Sequence, residues 1–111
     1  MKKFDVRFLE PAKEFIDKLD DKSRKKVFFN IWKSREVKDA ELFKKLKGNI
    51  WEFRTKFLSK QIRLFAFWDK SDEKSSLVIA THGLIKKTQK TPQKEINRAE
   101  RLREEYLSTK K

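Results

Sequence analysis

Residues 50–57 and 60–68 are two alternating runs separated by only two residues, and no other feature limits the fold as tightly. Ile50 to Phe57 sets Trp51, Phe53 and Phe57 on one side and Glu52, Arg54 and Lys56 on the other. Lys60 to Trp68 sets Ile62, Leu64, Ala66 and Trp68 on one side and Gln61, Arg63, Phe65 and Phe67 on the other. A period of two marks a half-buried strand. Leu58-Ser59 is short enough for a tight hairpin, although it is neither of the favoured pairs, Asn-Gly or Asp-Gly. With a two-residue turn, Phe57 faces Lys60 and Arg54 faces Arg63, whereas a one-residue slip removes the arginine pair. The apolar side then packs on helices, and the other side gathers Arg54, Lys56, Gln61 and Arg63. Like charges directly opposite one another destabilise a sheet, so this pair needs solvent or an anion between its members.

The remaining elements arrange themselves around that hairpin. Phe4, Val6 and Phe8 alternate with Asp5 and Arg7, which predicts a short strand over Lys3 to Leu9. Pro11 suits the first turn of a helix that carries Phe15, Ile16 and Leu19. Asp20, Asp21 and Ser23 supply turn and N-cap chemistry for a second helix over about Lys22 to Val37. Val27, Phe28, Ile31 and Trp32 run along one stripe of it. Leu42, Phe43 and Leu46 read as a short amphipathic piece ending at Gly48-Asn49. Asp69 to Ser76 is a polar turn. Leu77 to Ala80 reads as a central strand running on into Thr81-His82-Gly83. Thr91 reads as an N-cap and Pro92 as the first residue of a last helix, with Ile96, Ala99, Leu102 and Tyr106 on one face. The order β-α-α-β-β-β-α predicts an α+β fold over residues 1–111 as a single domain: an antiparallel sheet with an N-terminal helical hairpin and a C-terminal helix on one face.

Charge restricts the partners. The chain of 111 residues carries a formal net charge of +13, which calls for an anionic partner such as nucleic acid, the ribosome, an acidic protein or a membrane surface. Residues 54–94 hold ten Lys or Arg against three Asp or Glu, so more than half of the excess sits there. No segment approaches the roughly 20 apolar residues of a membrane span, and the start lacks the apolar core of a signal peptide. There is no Cys and only one His, which removes disulfides, thiolate metal sites and His-based metal sites. The economical expectation is a cytoplasmic protein with no metal and no cofactor.

Three groups of residues are candidates for chemistry. Arg54, Lys56 and Arg63 form either a solvated polar face or a phosphate clamp, since guanidinium groups bind phosphate oxygens in pairs and stay charged. Lys86, Lys87, Lys90 and Lys94 form either a solvated loop or an anion site. Lys90 and Lys94 fall at the start of the last helix, where the dipole favours negative charge and a bound phosphate would reverse the conflict. His82 has a side chain suited to proton transfer but no evident partner in the sequence. No acid pair, nucleophilic Ser or Cys, or Gly-rich loop indicates a hydrolase of the usual kinds. RNA brings its own nucleophile, the 2′-hydroxyl, so a ribonuclease needs only groups that position it, stabilise the phosphorane and move protons.

Trp51-Glu52-Phe53-Arg54, Arg63-Leu64-Phe65-Ala66-Phe67 and His82-Gly83-Leu84-Ile85-Lys86-Lys87-Thr88-Gln89-Lys90-Thr91-Pro92 resemble a phage-derived, HigB-like branch of the RelE/ParE toxin superfamily. The resemblance covers about residues 42 to 107, and Leu84 stands where Phe is expected. It implies a curved antiparallel sheet and the toxin of a type II toxin–antitoxin system. It further implies ribosome-dependent, metal-free cleavage of messenger RNA to a 2′,3′-cyclic phosphate, and a cognate antitoxin, often with a helix-turn-helix domain. On this chain it assigns Arg54 and Arg63 to the scissile phosphate. Lys86, Lys87 and Lys90 match the lysine motif of the family and would contact RNA, with Lys87 joining catalysis, and Lys56 and Lys94, from the two basic groups above, would contact RNA beside them. Two further readings remain open from composition: a toxin of the same fold that inhibits DNA gyrase, and a noncatalytic RNA- or ribosome-binding module.

Overall fold

The computed structural model describes residues 4–71, 76–86 and 90–109. Its elements run β1 (Asp5–Phe8), α1 (Glu10–Asp17), α2 (Asp21–Glu36), β2 (Phe43–Lys47), β3 (Ile50–Phe57), β4 (Lys60–Asp69), β5 (Leu77–Lys86) and α3 (Gln93–Ser108). The two-residue turn forms at Leu58-Ser59 and fixes the expected register, with Phe57 opposite Lys60 and Arg54 opposite Arg63. Leu58 takes a φ of 56°. Positive φ at the first turn position matches a type II′ turn, at a steric cost for a non-glycine residue of about 1–2 kcal/mol.

Asp20 caps α2 by accepting from the Ser23 backbone N–H at 3.1 Å, and it also accepts from Lys60 Nζ at 2.8 Å. The bonds from Lys60 and Ser23 hold its carboxyl well below the usual carboxylate range. Arg24 closes the α1–α2 corner by donating to the carbonyls of Ile16, Asp17 and Leu19, which serves the oxygens a helix C-terminus leaves unpaired.

Two expectations about the sheet change. It has five strands in the order β1-β5-β4-β3-β2, and β1 runs parallel to β5 while the other pairs are antiparallel. The sheet is therefore mixed. The short amphipathic piece around Leu42, Phe43 and Leu46, which the expected element order left without an element, is largely a strand. Phe43–Lys47 is an edge strand hairpinned onto β3 through Gly48, whose φ is 60°. The spacing of those three apolar residues fits a bulged strand as well as a helix, and pairing with β3 decides between them.

Helices cover both faces, not one. Ala12, Ile16 and Leu19 on the α1 side and Val27 and Ile31 from α2 pack with Phe53, Ile62, Leu64, Ala66, Val78 and Ala80. Ile96 and Ala99 from α3 pack on the opposite face with Ile50, Phe65, Phe67 and Ile79. Burying rings such as Phe65 and Phe67 contributes about 1.5–3 kcal/mol each, which is why this face needs a cover. The stripe expected on α2 also divides, because Val27 and Ile31 are buried while Phe28 and Trp32 face outward. Among the described residues, no helix is long and apolar enough to cross a membrane.

Gly83 permits the close approach of α1 to β5, since a Cβ there would lie 2.2 Å from the Phe15 ring. Gly83→Ala should therefore destabilise the fold by about 1–3 kcal/mol, as overpacking does. Urea titration checks this, and adding Phe15→Leu should recover part of the loss.

Candidate functional site

A one-residue irregularity in β5 builds the site. Phe65 pairs with His82, but the next residue of β4, Ala66, pairs with Ala80, so Thr81 is an extra residue. A bulge of this kind shifts the alternation of side chains. Beyond Thr81, the even-numbered residues His82, Leu84 and Lys86 join the α3 face, and Gly83 and Ile85 turn to the other.

Three rows of side chains then cross the α3 face, given by the strand register. Lys56, Gln61 and Lys86 form the first, and Arg54, Arg63 and Leu84 the second. Lys44, Glu52, Phe65 and His82 form the third. Glu52 is only 2% exposed, Arg63 3% and Lys86 7%. Glu52 supplies the anion the arginine pair requires: its carboxylate lies 3.6 Å from Arg54 Nε and 3.6 Å from Arg63 Nε. Those separations are too long for hydrogen bonds, and both Nε–H groups are buried without a hydrogen-bond partner. Arg63 also donates to Gln61 Oε1 at 2.8 Å and to the Ile62 carbonyl at 3.2 Å, and Arg54 donates to the Ala40 carbonyl at 3.3 Å.

The segment entering α3 closes over this cluster. The Thr91 hydroxyl donates to Glu52 Oε1 at 3.3 Å and accepts from Lys86 Nζ at 3.3 Å. Thr91 was expected as an N-cap. Pro92 holds that position instead, and its ring has no group that could cap the helix, while the Thr91 hydroxyl is engaged at the cluster. Burial pushes the Lys86 ammonium below the ordinary lysine value, and the nearby Arg63 adds to the shift while Glu52 opposes it. Burial also opposes the charge on Arg63, which Glu52 favours and Arg54 disfavours.

His82 has partners that the sequence did not reveal. Its ring stacks on Phe65 with centroids 4.8 Å apart. Nε2 lies 3.0 Å from Glu95 Oε1, and Nδ1 lies 3.1 Å from the Thr81 hydroxyl. A carboxylate oxygen only accepts, so Nε2 carries the proton. This histidine pins the first turn of α3 to β5. Lys56, Lys90 and Lys94 are exposed, and the expected catalytic Lys87 lies outside the described residues. Sequence reading missed Glu52, Thr91 and Lys44. Glu52 carried one signal, its position two residues before Arg54 in an alternating strand.

A family model described as phage-derived protein Gp49-like (DUF891) matches residues 14–104. The chain belongs to this Gp49-like family. No curated protein sequence matches the chain. The matched span takes in the cluster formed by Glu52, Arg54, Arg63, Lys86 and Thr91.

Two measurements follow from this geometry. The Nε–H groups without hydrogen bonds predict that inorganic phosphate, compared with chloride at equal ionic strength, raises the melting temperature of the wild type, with a much smaller rise in Arg54→Ala. Burial, partly offset by Glu95, pushes the His82 imidazole below its ordinary range. Below that range the unfolded chain takes up a proton that the folded one resists, so stability falls with acidification. The stability advantage of wild type over His82→Gln, read from urea midpoints, should therefore shrink between about pH 7.5 and about pH 5.

Proposed function

We propose that this Gp49-like protein is the toxin of a type II toxin–antitoxin pair, of the RelE/ParE kind, and that it cleaves messenger RNA on the ribosome. The observation that carries this reading is the cross-strand Arg54/Arg63 pair, whose buried Nε–H groups lack hydrogen bonds, next to the buried Lys86. The motif resemblance supports it, as does the excess of positive charge.

The chemistry asks little more of the protein. The RNA 2′-hydroxyl attacks the adjacent phosphorus and loses its proton to a base. The bond to the 5′-oxygen breaks, and that oxygen takes up a proton. The products are a 2′,3′-cyclic phosphate and a free 5′-hydroxyl. Arg54 and Arg63 stabilise the charge that gathers on the phosphorane oxygens. Lys86 stands buried beside the arginine pair and held by Thr91, where its ammonium can meet a phosphate oxygen. Glu52 and Thr91 hold the cations in place, Lys56, Lys90 and Lys94 meet the RNA backbone, and the proposal assigns Lys87 to the same site.

Primer extension on a defined mRNA in a cell-free translation system, with and without ribosomes, tests the reading. Wild type should cut only with ribosomes, and Arg54→Ala and Arg63→Ala should each cut about 10²–10³-fold more slowly. Far-ultraviolet circular dichroism checks that each variant is folded. A folded Arg54→Ala with full activity overturns the site. Intact mRNA beside folded wild-type protein overturns the enzyme, and a supercoiling assay then separates gyrase inhibition from plain RNA binding.

A further inference from the structure

α2 buries Val27 and Ile31 in the core and still leaves its largest rings outside. The residues it buries against the sheet include Ser23 at 0%, Asn30 at 8% and Ser34 at 7% exposure, while Phe28, Phe29 and Trp32 stand 43%, 52% and 55% exposed. A helix that buries small polar groups and shows large rings to solvent is not explained by its own core. Phe28 and Trp32 adjoin β1, an edge strand of the sheet. Phe28 packs edge-on to Phe8 with centroids 6.0 Å apart. Between helix and strand runs a groove of about 540 Å³ lined by Val6, Phe8, Phe28, Ile31 and Trp32, with Asp5, Arg7 and Arg35 at its rim.

We infer that this groove docks an acidic, amphipathic segment of a partner protein. Three observations select that occupant. The groove is concave, so a flat lipid surface cannot reach the Phe8 and Val6 side chains that line it. A second copy of the chain would bring together two molecules of net charge +13. The helix itself carries six lysines and arginines against two acids. Of these, Arg24 is engaged by Asp21 and Arg35 by Asp5, while Arg7 lines the groove and Lys22, Lys25 and Lys33 add exposed positive charge along the helix outside that lining. Apolar side chains one helical turn apart would cover Phe28 and Trp32, and flanking carboxylates would meet the lysines. The inference does not depend on the ribonuclease reading, because the cluster around Arg54 and Arg63 lies on the other face of the sheet.

The test uses the full chain, labelled with ¹⁵N, and a synthetic helical peptide with leucines spaced four apart and glutamates on both flanks. Amide shifts should concentrate in residues 5–9 and 24–36. The charge-reversed peptide, with lysine for glutamate, should bind at least about tenfold more weakly, as should the wild-type peptide to Phe28→Ser/Trp32→Ser. These rings are exposed, so the double variant should keep its amide spectrum. If it does not fold, the wild-type shift map and the charge-reversed peptide decide alone. Shifts centred on Arg54, Arg63 and Lys86, or equal binding of the charge-reversed peptide, overturn the inference. So does tighter binding at α2 by a short single-stranded oligoribonucleotide or by phosphatidylglycerol vesicles.

Discussion

Between Phe65 and Ala66 the pairing of β4 with β5 slips by one residue, and Thr81 is left as the extra member of the longer strand. With uninterrupted alternation, His82, Leu84 and Lys86 would follow Val78 and Ala80 onto the face covered by α1 and α2. Lys86 would then sit on an apolar core, and His82 would lose Glu95. The bulge sends these residues to the α3 face and leaves Gly83 under the Phe15 ring, which a Cβ there would displace. The Thr81 hydroxyl lies within hydrogen-bond reach of the Phe65 carbonyl and of His82 Nδ1. The cation cluster, the seat of α3 and the contact between α1 and β5 all depend on this one insertion.

The charges gathered there are not what stability alone would select. Taking an ion out of water costs several kcal/mol even after relaxation, and well-packed apolar residues in place of a buried ion pair are often neutral or stabilising. Among the described residues, one carboxylate, Glu52, stands among Arg54, Arg63, Lys86 and the row neighbour Lys44. It relieves the like-charge opposition across β3 and β4, but it cannot balance four cations. Thr91 bridges Glu52 and Lys86 with one hydroxyl, which fixes both without neutralising either. The positive charge of the arginine pair suits a phosphodiester, whose oxygens would hydrogen-bond the Nε–H groups that Glu52 approaches only to 3.6 Å.

The sequence made the Arg54/Arg63 pair legible because a two-residue gap between alternating runs leaves one natural register. It made the last helix legible through Ile96 and Ala99 at helical spacing. Other features left no mark. A single-residue bulge does not disturb the composition around Thr81, so the facing of His82 and Lys86 could not be read. Placing all the helices on one face made the Glu52 side appear solvated, although Phe65 and Phe67 on that side already required a cover. In α2, Val27, Phe28, Ile31 and Trp32 span an arc wider than one contact face. Periodicity alone does not say that the half with Val27 and Ile31 turns inward with Ser23, Asn30 and Ser34 beside it.

The sheet separates the two surfaces, and that separation limits how they can act on each other. A sheet and the helices on either side stack at spacings of about 10 Å per layer, while salt at physiological strength screens charge over about 8 Å. Carboxylates docked outside α2 would therefore lower the potential at Arg54 and Arg63 only slightly. The buried bond from Asn30 to Thr55, 3.3 Å long, does join α2 to the residue next to Arg54. A contact of this kind transmits an effect only if the element it belongs to has two arrangements. Direct obstruction is the stronger route. A partner anchored in the groove would have to continue around a sheet edge, past β1 or past the Ala40 carbonyl that holds Arg54 beside β2, before its chain could occupy the cluster itself.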